Sequence, residues 1–278
     1  MQQIPDVRDI VLVGGGHSHV QVLRRFGMRP EPGVRLTLVA REPHTPYSGM
    51  LPGFIAGQYS WDDIHIDLAR LGAFCNARFI ADEVIGVDPE DNRVLFVDRP
   101  SIRYDALSIN TGGVPFKGMP VHDTVLPVKP IGRFIVAWEG LVDRTRDHVG
   151  FPLAIVGGGP GSVELAVAIA ERFGSRFCIT LVTADSVLLR GHSNRMRTAI
   201  ERVLGLHGIG TETGFTVNNV DNAGLWSASG EFIAAESTLW VTGVGAPKWL
   251  AESGFVVDHN GFIRVDRSLR SASHPNVF

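Results

Sequence analysis

Two segments of this chain carry the same punctuation, and few folds accommodate it. Ile10–Val13 is an apolar run that ends in Gly14-Gly15-Gly16-His17-Ser18-His19. Leu153–Val156 is another, ending in Gly157-Gly158-Gly159-Pro160-Gly161-Ser162. Helical spacing follows each: Val20, Leu23 and Phe26 in the first, Val163 to Arg172 in the second. A strand, a glycine turn and a helix in succession gather backbone N–H groups at a helix N-terminus, where they cradle a diphosphate. One glycine turn is common. Two in this context imply one chain that holds two dinucleotides, and such chains pass electrons between them.

The rest of the pattern fits two β-α-β units. The first has strands over 8–13 and 34–39 with a helix from His17 to Phe26, ended by Gly27 and the Pro-Gly segment 30–33. A loop rich in Pro and Gly covers Glu42 to Gly57, long enough to suggest function. A hairpin is predicted for Glu83–Val87 and Arg93–Val97, then a strand over Tyr104–Ile109 stopped by Asn110-Thr111-Gly112-Gly113. Pro115 to Pro130 reads as a crossing between domains, and Ile131 to Arg144 as a helix. The second unit runs from Leu153 to Val182, followed by a helix over Ser193–Leu206 and strands over Gly214–Val220, Ser237–Thr242 and Gly261–Asp266. The predicted fold class is α/β, with two Rossmann-like domains, the second inserted in the first. The expected boundaries are 1–117 with 244–278, and 118–243.

Composition excludes several classes. At 278 residues, 44% hydrophobic and 20% charged, the chain has material for two ordinary domains. A net charge of −3 gives no global attraction to nucleic acid or to an anionic membrane, so no nucleic-acid partner is expected. No apolar stretch reaches the ~18 residues of a membrane span, and the start is too polar for a signal peptide. Cys75 and Cys178 are the only cysteines and form no spaced pair, which suggests a reducing compartment and structural thiols. A cytoplasmic location is expected. Peripheral membrane contact and a homodimer stay open.

The two glycine motifs differ in quality. In the first, Gly14 permits the turn and Gly16 the approach of a pyrophosphate, with Gly15, His17 and Ser18 beside them. The third place, normally Gly or Ala, holds His19: either the helix stands off or the imidazole points to solvent. His17 and His19 have no carboxylate neighbours and are read as loop histidines, with no metal site. The acid expected at the end of the second strand is Ala40. Arg41 and Glu42 are next in line, and Glu42 is either a ribose ligand or a solvated charge. The second motif is closer to the pattern, with Gly157, Gly159 and the small Ser162 in its three places, and Pro160 and Gly161 between. Glu164 is either placed by the helix dipole or lines a nicotinamide pocket. Thr183 stands where a ribose-binding acid is expected, so NADH and NADPH are not distinguished. Arg190 is a candidate phosphate contact.

Taken in order, the two motifs, the hairpin, Asn110-Thr111-Gly112, Val163-Glu164-Leu165-Ala166 and Val241-Thr242-Gly243 resemble the two-dinucleotide-binding flavoproteins, the pyridine nucleotide-disulfide oxidoreductases. Within them the chain resembles the branch with type II NADH dehydrogenases and sulfide:quinone oxidoreductases. A nearer resemblance, carried by Gly14–His19, Thr45–Pro52 and His65-Ile66-Asp67-Leu68, is to the flavoprotein module fused ahead of selenide, water dikinase. The resemblance implies a glutathione-reductase-like fold, FAD on the first unit and NAD(P)H on the second. It puts Pro46, Tyr47, Ser48 and Gly49 near the isoalloxazine, Val84 toward the adenine end of FAD, and Asn110, Thr111 and Gly112 where the chain passes the flavin. Thr242 and Gly243 count among the implied cofactor-binding residues. The implied activity is FAD-dependent NAD(P)H:acceptor oxidoreduction, with a quinone or small carrier as acceptor.

Two departures stand out. The paired cysteines of the disulfide reductases are missing, which argues against a disulfide substrate. Ser271–Phe278 resembles the lead-in to the family's Gly-Asp motif, so the sequence stops short of a segment expected to complete the flavin site. The alternatives are a catalytically weak nucleotide-binding or sensor module, and a selenium- or sulfur-linked reductase.

Overall fold

Apolar runs with little polar interruption are buried on both faces when they form a parallel sheet covered on each side. The computed structural model describes residues 7–115 and 119–278. Its principal elements, in chain order, begin with β1 (Arg8–Val13), α1 (His17–Met28), β2 (Val34–Ala40), α2 (Leu51–Ile55), α3 (Leu68–Phe74) and β3 (Arg78–Ala81). Next come β4 (Val84–Asp88), β5 (Arg93–Phe96), β6 (Ile102–Arg103), β7 (Ala106–Ile109), β8 (Val125–Pro127), α4 (Ile131–Arg144), β9 (Phe151–Val156) and α5 (Pro160–Phe173). The remainder are β10 (Phe177–Thr183), α6 (Asn194–Leu206), β11 (Gly210–Thr213), β12 (Val217–Val220), β13 (Gly224–Ser227), β14 (Phe232–Ala234) and β15 (Ser237–Trp240).

The chain packs as two compact units. One holds the chain up to Pro46, His65–Val114 and Gly245–Phe278; the other holds Tyr47–Ile64 and Pro115–Val244. The sequence-based boundary at 117/118 lies outside the described residues. That reading also puts Tyr47–Ile64 with the first unit, whereas by packing this segment belongs to the second.

The first unit is a parallel sheet in the order β3-β2-β1-β7. Period-two alternation sorts β1 between two cores. Leu12 joins Leu23, Leu36, Leu38 and Leu68 under α1 and α3. Val11 and Val13 join Val84, Val87, Val94 and Phe96 of the antiparallel strands β4 and β5, which β6 extends. The last residues lie beside β7, where Phe278 N donates to Leu107 O at 2.8 Å and Ile109 N to Phe278 O at 2.8 Å.

The second unit repeats the architecture, in the order β8-β15-β9-β10-β11. Leu153 and Ile155 face α4 and α5, whose Phe134, Trp138 and Phe173 form an aromatic cluster with Phe177 of β10, ring centroids about 6 Å apart in stacked, tilted and edge-on pairs. Ala154 and Val156 face the antiparallel strands β12, β13 and β14. Leu51, Ile55 and Ile64 join the helical core, and Arg172 Nη1 donates to Ile55 O at 2.9 Å, satisfying a carbonyl at the end of α2.

Three local expectations change. The 42–57 loop contains the short helix α2, and α3 follows it. The predicted Gly214–Val220 strand begins at Val217, because Gly214 takes a left-handed φ of +73°. The expected Gly261–Asp266 strand reduces to isolated bridges, Val257–Ile263 and Val265–Ser271, because Asp258 and Asp266 turn the chain on their own carboxylates.

Candidate dinucleotide-binding sites

The two glycine turns are built alike. Gly14 has φ +99° and its N–H donates to Val39 O at 2.7 Å; Gly157 has φ +148° and donates to Val182 O at 2.8 Å. Each is pinned by the strand on its other side, where Asn110 N donates to Val13 O at 2.7 Å and Val241 N to Val156 O at 2.8 Å. A Cβ on Gly14 would lie 2.2 Å from Asn110 O, and one on Gly157 would lie 2.8 Å from Val241 O. Glycine is therefore required twice over, by φ and by the crossing backbone. In both sheets the turn follows the strand where the order reverses, the place at which open parallel sheets form a ligand crevice.

The helices that leave these turns, α1 and α5, have the N-caps Gly16 and Gly159 and no capping side chain. By contrast, Asp67 and Ser193 cap α3 and α6 with their side chains. First-turn N–H groups without a cap are a donor set suited to an anion.

The turns diverge at the next glycine. A Cβ on Gly159 would meet nothing within 4 Å, so this cradle is open and fits a pyrophosphate. A Cβ on Gly16 would meet the Asn110 side chain at 2.2 Å, and one on Gly15 would meet Leu68 Cδ1 at 2.5 Å. In the first turn the glycines make room for protein groups, and fit to a dinucleotide rests on the uncapped helix start.

At the third place, Ser162 is buried and its Oγ donates to Gly159 O at 2.7 Å. His19 corrects both sequence-based options. It is 1% exposed, with Nδ1 2.7 Å from Gly14 O and Nε2 2.8 Å from Ser108 Oγ. A carbonyl only accepts, so Nδ1 carries the proton and Nε2 accepts from Ser108. Burial pushes the imidazole pKa down, against the opposing pull of the Gly14 hydrogen bond. A neutral histidine thus clamps α1 to the turn and to β7.

The structure groups the remaining candidates by unit. Gly14, Gly15 and Gly16 form the first turn against Asn110 and Thr111; His17 and Ser18 begin α1, and Gly112 follows Thr111 in the chain. Arg41 and Glu42 are exposed at the end of β2, and Arg41 Nη2 pairs with Glu83 Oε1 at 2.6 Å, next to the buried Val84. Glu83 thus brings a carboxylate to the strand end that lacks one at Ala40. Pro46 belongs to the first unit. Tyr47, Ser48 and Gly49 belong to the second, at the turn that opens α2. Gly157, Ser162, Thr183 and Val241 meet at the second turn, with Thr183 Oγ1 2.4 Å from where a Gly158 Cβ would be; Gly159, Pro160 and Gly161 lead into α5, and Thr242 and Gly243 follow Val241 in the chain. Glu164 is exposed on α5. Among the described residues no helix is long and apolar enough to cross a membrane.

Two parallel sheets, each with a tight glycine turn at its point of reversal, define a protein of two dinucleotide-binding folds, one inserted in the other. Residues 8–278 match the model of the pyridine nucleotide-disulphide oxidoreductases, and the chain belongs to that family. A NADH dehydrogenase-like protein of Mycobacterium tuberculosis is 27% identical over 216 residues, 70% of this chain and 52% of the relative. The demethylphylloquinone reductase NdbB of Synechocystis is 22% identical over 97% of this chain and 70% of its own. The solved sulfide:quinone oxidoreductase of Aquifex aeolicus superposes with a TM-score of 0.80 at 19% identity, over 98% of this chain and 67% of that one. The chain therefore spans about half the length of the mycobacterial relative.

Proposed function

We propose that this chain is the dinucleotide-binding core of an FAD-dependent NAD(P)H:acceptor oxidoreductase, with a quinone as the favoured acceptor. The observation that carries the reading is the duplicated turn, Gly14 and Gly157, each forced to glycine by a crossing backbone and each opening an uncapped helix. The acceptor class is drawn from relatives named as quinone reductases. FAD is assigned to the first turn and NAD(P)H to the second, whose cradle is open at Gly159. Bound together, the two groups supply hydride transfer from nicotinamide to flavin.

The chain's own contribution is positional. The α1 and α5 N-termini would hold the two pyrophosphates. Asn110, Thr111 and Gly112 would line the flavin, and Arg41, Glu42 and Val84 the adenosine end of FAD. Pro46, Tyr47, Ser48 and Gly49 are assigned to the isoalloxazine surroundings. Thr242, Gly243 and Glu164 are assigned to the nicotinamide end, and Thr183 to the ribose. Neither cysteine is assigned a redox role, since Cys75 and Cys178 are both free thiols and the Cys75 thiol pKa is raised by burial.

The test is absorbance. The purified chain, given FAD, should retain a flavin spectrum through gel filtration and bleach under anaerobic NADH or NADPH. A chain that stays colourless after FAD is added would refute the flavin assignment. Tight flavin binding with no bleaching by either nucleotide would favour the sensor reading over the enzyme.

A further inference from the structure

We propose that the second cradle selects a dinucleotide carrying a 2′-phosphate, and that Arg190 is the residue that selects it. The inference rests on the proposed function, since it needs the second turn to hold a nucleotide, and adds which nucleotide that is.

The end of β10 is where a ribose is read in this fold, through a carboxylate for a 2′-hydroxyl or an arginine for a 2′-phosphate. This chain has Thr183 there, buried, with its Oγ1 accepting from Asp185 N at 3.2 Å. A threonine brings no charge against a phosphate.

The segment after Thr183 folds back over the turn. Leu189 N donates to Gly158 O at 2.8 Å, and His192 N donates to Leu189 O at 2.8 Å. Leu189 is 4% exposed and left-handed at φ +54°, a conformation a leucine adopts only when its surroundings hold it there. The buried side chain and the bond to Gly158 hold it there. The consequence is local: the residue after Leu189 emerges beside the glycine turn, at the surface. That residue is Arg190, with 77% of its side chain exposed.

Its single partner among the described residues is Asp185, with Arg190 Nη1 3.0 Å from Asp185 Oδ1. So exposed a pair is held weakly. A phosphate dianion offers the guanidinium fork more acceptors and more charge than one carboxylate oxygen, and would displace Asp185. The opposite arrangement, in which Asp185 accepts the ribose hydroxyls and keeps Arg190 neutralised, is what the experiment must separate.

The experiment is calorimetric titration of the full chain with 2′,5′-ADP and with 5′-AMP, which differ only in the 2′-phosphate. Gly159→Ala serves as the blank for the second cradle. The expected result is tighter binding of 2′,5′-ADP by about ten-fold or more. Arg190→Ala should remove that advantage while leaving AMP unchanged, and Arg190→Lys should keep part of it. Equal affinity for the two ligands, or equal loss of both in Arg190→Ala, overturns the selection by Arg190 and leaves the nucleotide site standing. Weaker AMP binding in Asp185→Ala also overturns it, because Asp185 would then be the ribose ligand. If neither ligand binds a chain that melts cooperatively, the second turn is not a nucleotide site, and both this inference and the reading beneath it fail.

Discussion

Gly157 and Gly159 are two residues apart, and the structure predicts that alanine at each fails in a different way. At Gly157 a methyl group would be set 2.8 Å from Val241 O and 3.1 Å from Val241 C, on a backbone at φ +148°. The dihedral alone costs an L-residue about 1–3 kcal/mol, and relief of the overlap must move β15, the central neighbour of β9. Together these place Gly157→Ala at about 2–4 kcal/mol of destabilisation, a large share of the 5–15 kcal/mol typical of a folded domain. At Gly159 the backbone is ordinary, φ −90° and ψ 176°, and the methyl would meet nothing within 4 Å. As an N-cap change it costs under about 1 kcal/mol. The methyl would instead stand over the uncapped first turn of α5, where the pyrophosphate is proposed to lie. Urea unfolding followed by tryptophan fluorescence measures the first effect, and calorimetric titration with ADP the second. Gly159→Ala should fold like the parent and bind ADP at least about ten-fold more weakly. If it instead loses as much stability as Gly157→Ala, or binds ADP unchanged, the open-cradle reasoning is wrong.

Further outcomes follow from the cores and the clamp. His19→Ala should cost about 2–5 kcal/mol, because it strands the Gly14 carbonyl and the Ser108 hydroxyl; chemical denaturation checks this. The same histidine sets a pH dependence. Its folded pKa lies below 6.5, so the unfolded chain alone takes the proton as pH falls through 6.5. Its stabilisation is complete above that value and is lost as pH falls below it toward the lowered folded pKa, by at most about 1.4 kcal/mol per pH unit, a slope that His19→Gln should flatten. Trp138→Ala, in the aromatic cluster with Phe134, Phe173 and Phe177, should cost about 3–5 kcal/mol in the same assay. Tyr104 is buried, its hydroxyl has no hydrogen-bond partner among the described residues, and burial pushes its pKa to about 12. Tyr104→Phe should leave the melting temperature unchanged or raise it, and a drop of several degrees would reveal a partner for that hydroxyl.

Much of the scaffold was legible locally. Both β-α-β units, α4 over 131–144 and the first hairpin can be read from apolar spacing and glycine stops, because the period of burial is written residue by residue. The site was legible only in part. Nothing in Gly14–His19 says whether the histidine faces solvent; that depends on Ser108, 89 residues away. Likewise Ala40 reads as a missing acid, yet Glu83 reaches the same strand end through its pair with Arg41. Glu42–Gly57 reads as a loop because its Pro and Gly mask the one-face spacing of Leu51 and Ile55, whose burial depends on the distant residues of α5 and its core.

Two strand-turn-helix units, each turning on glycine, follow from local pattern alone, since backbone dihedrals and periodicity are local properties. What each glycine is for depends on packing. Gly14 and Gly157 yield to a crossing backbone from distant strands, Gly16 yields to Asn110, and Gly159 alone of these four is left facing open space. That difference comes from atoms roughly a hundred residues away in the chain and a few ångströms away in space, which no local pattern records.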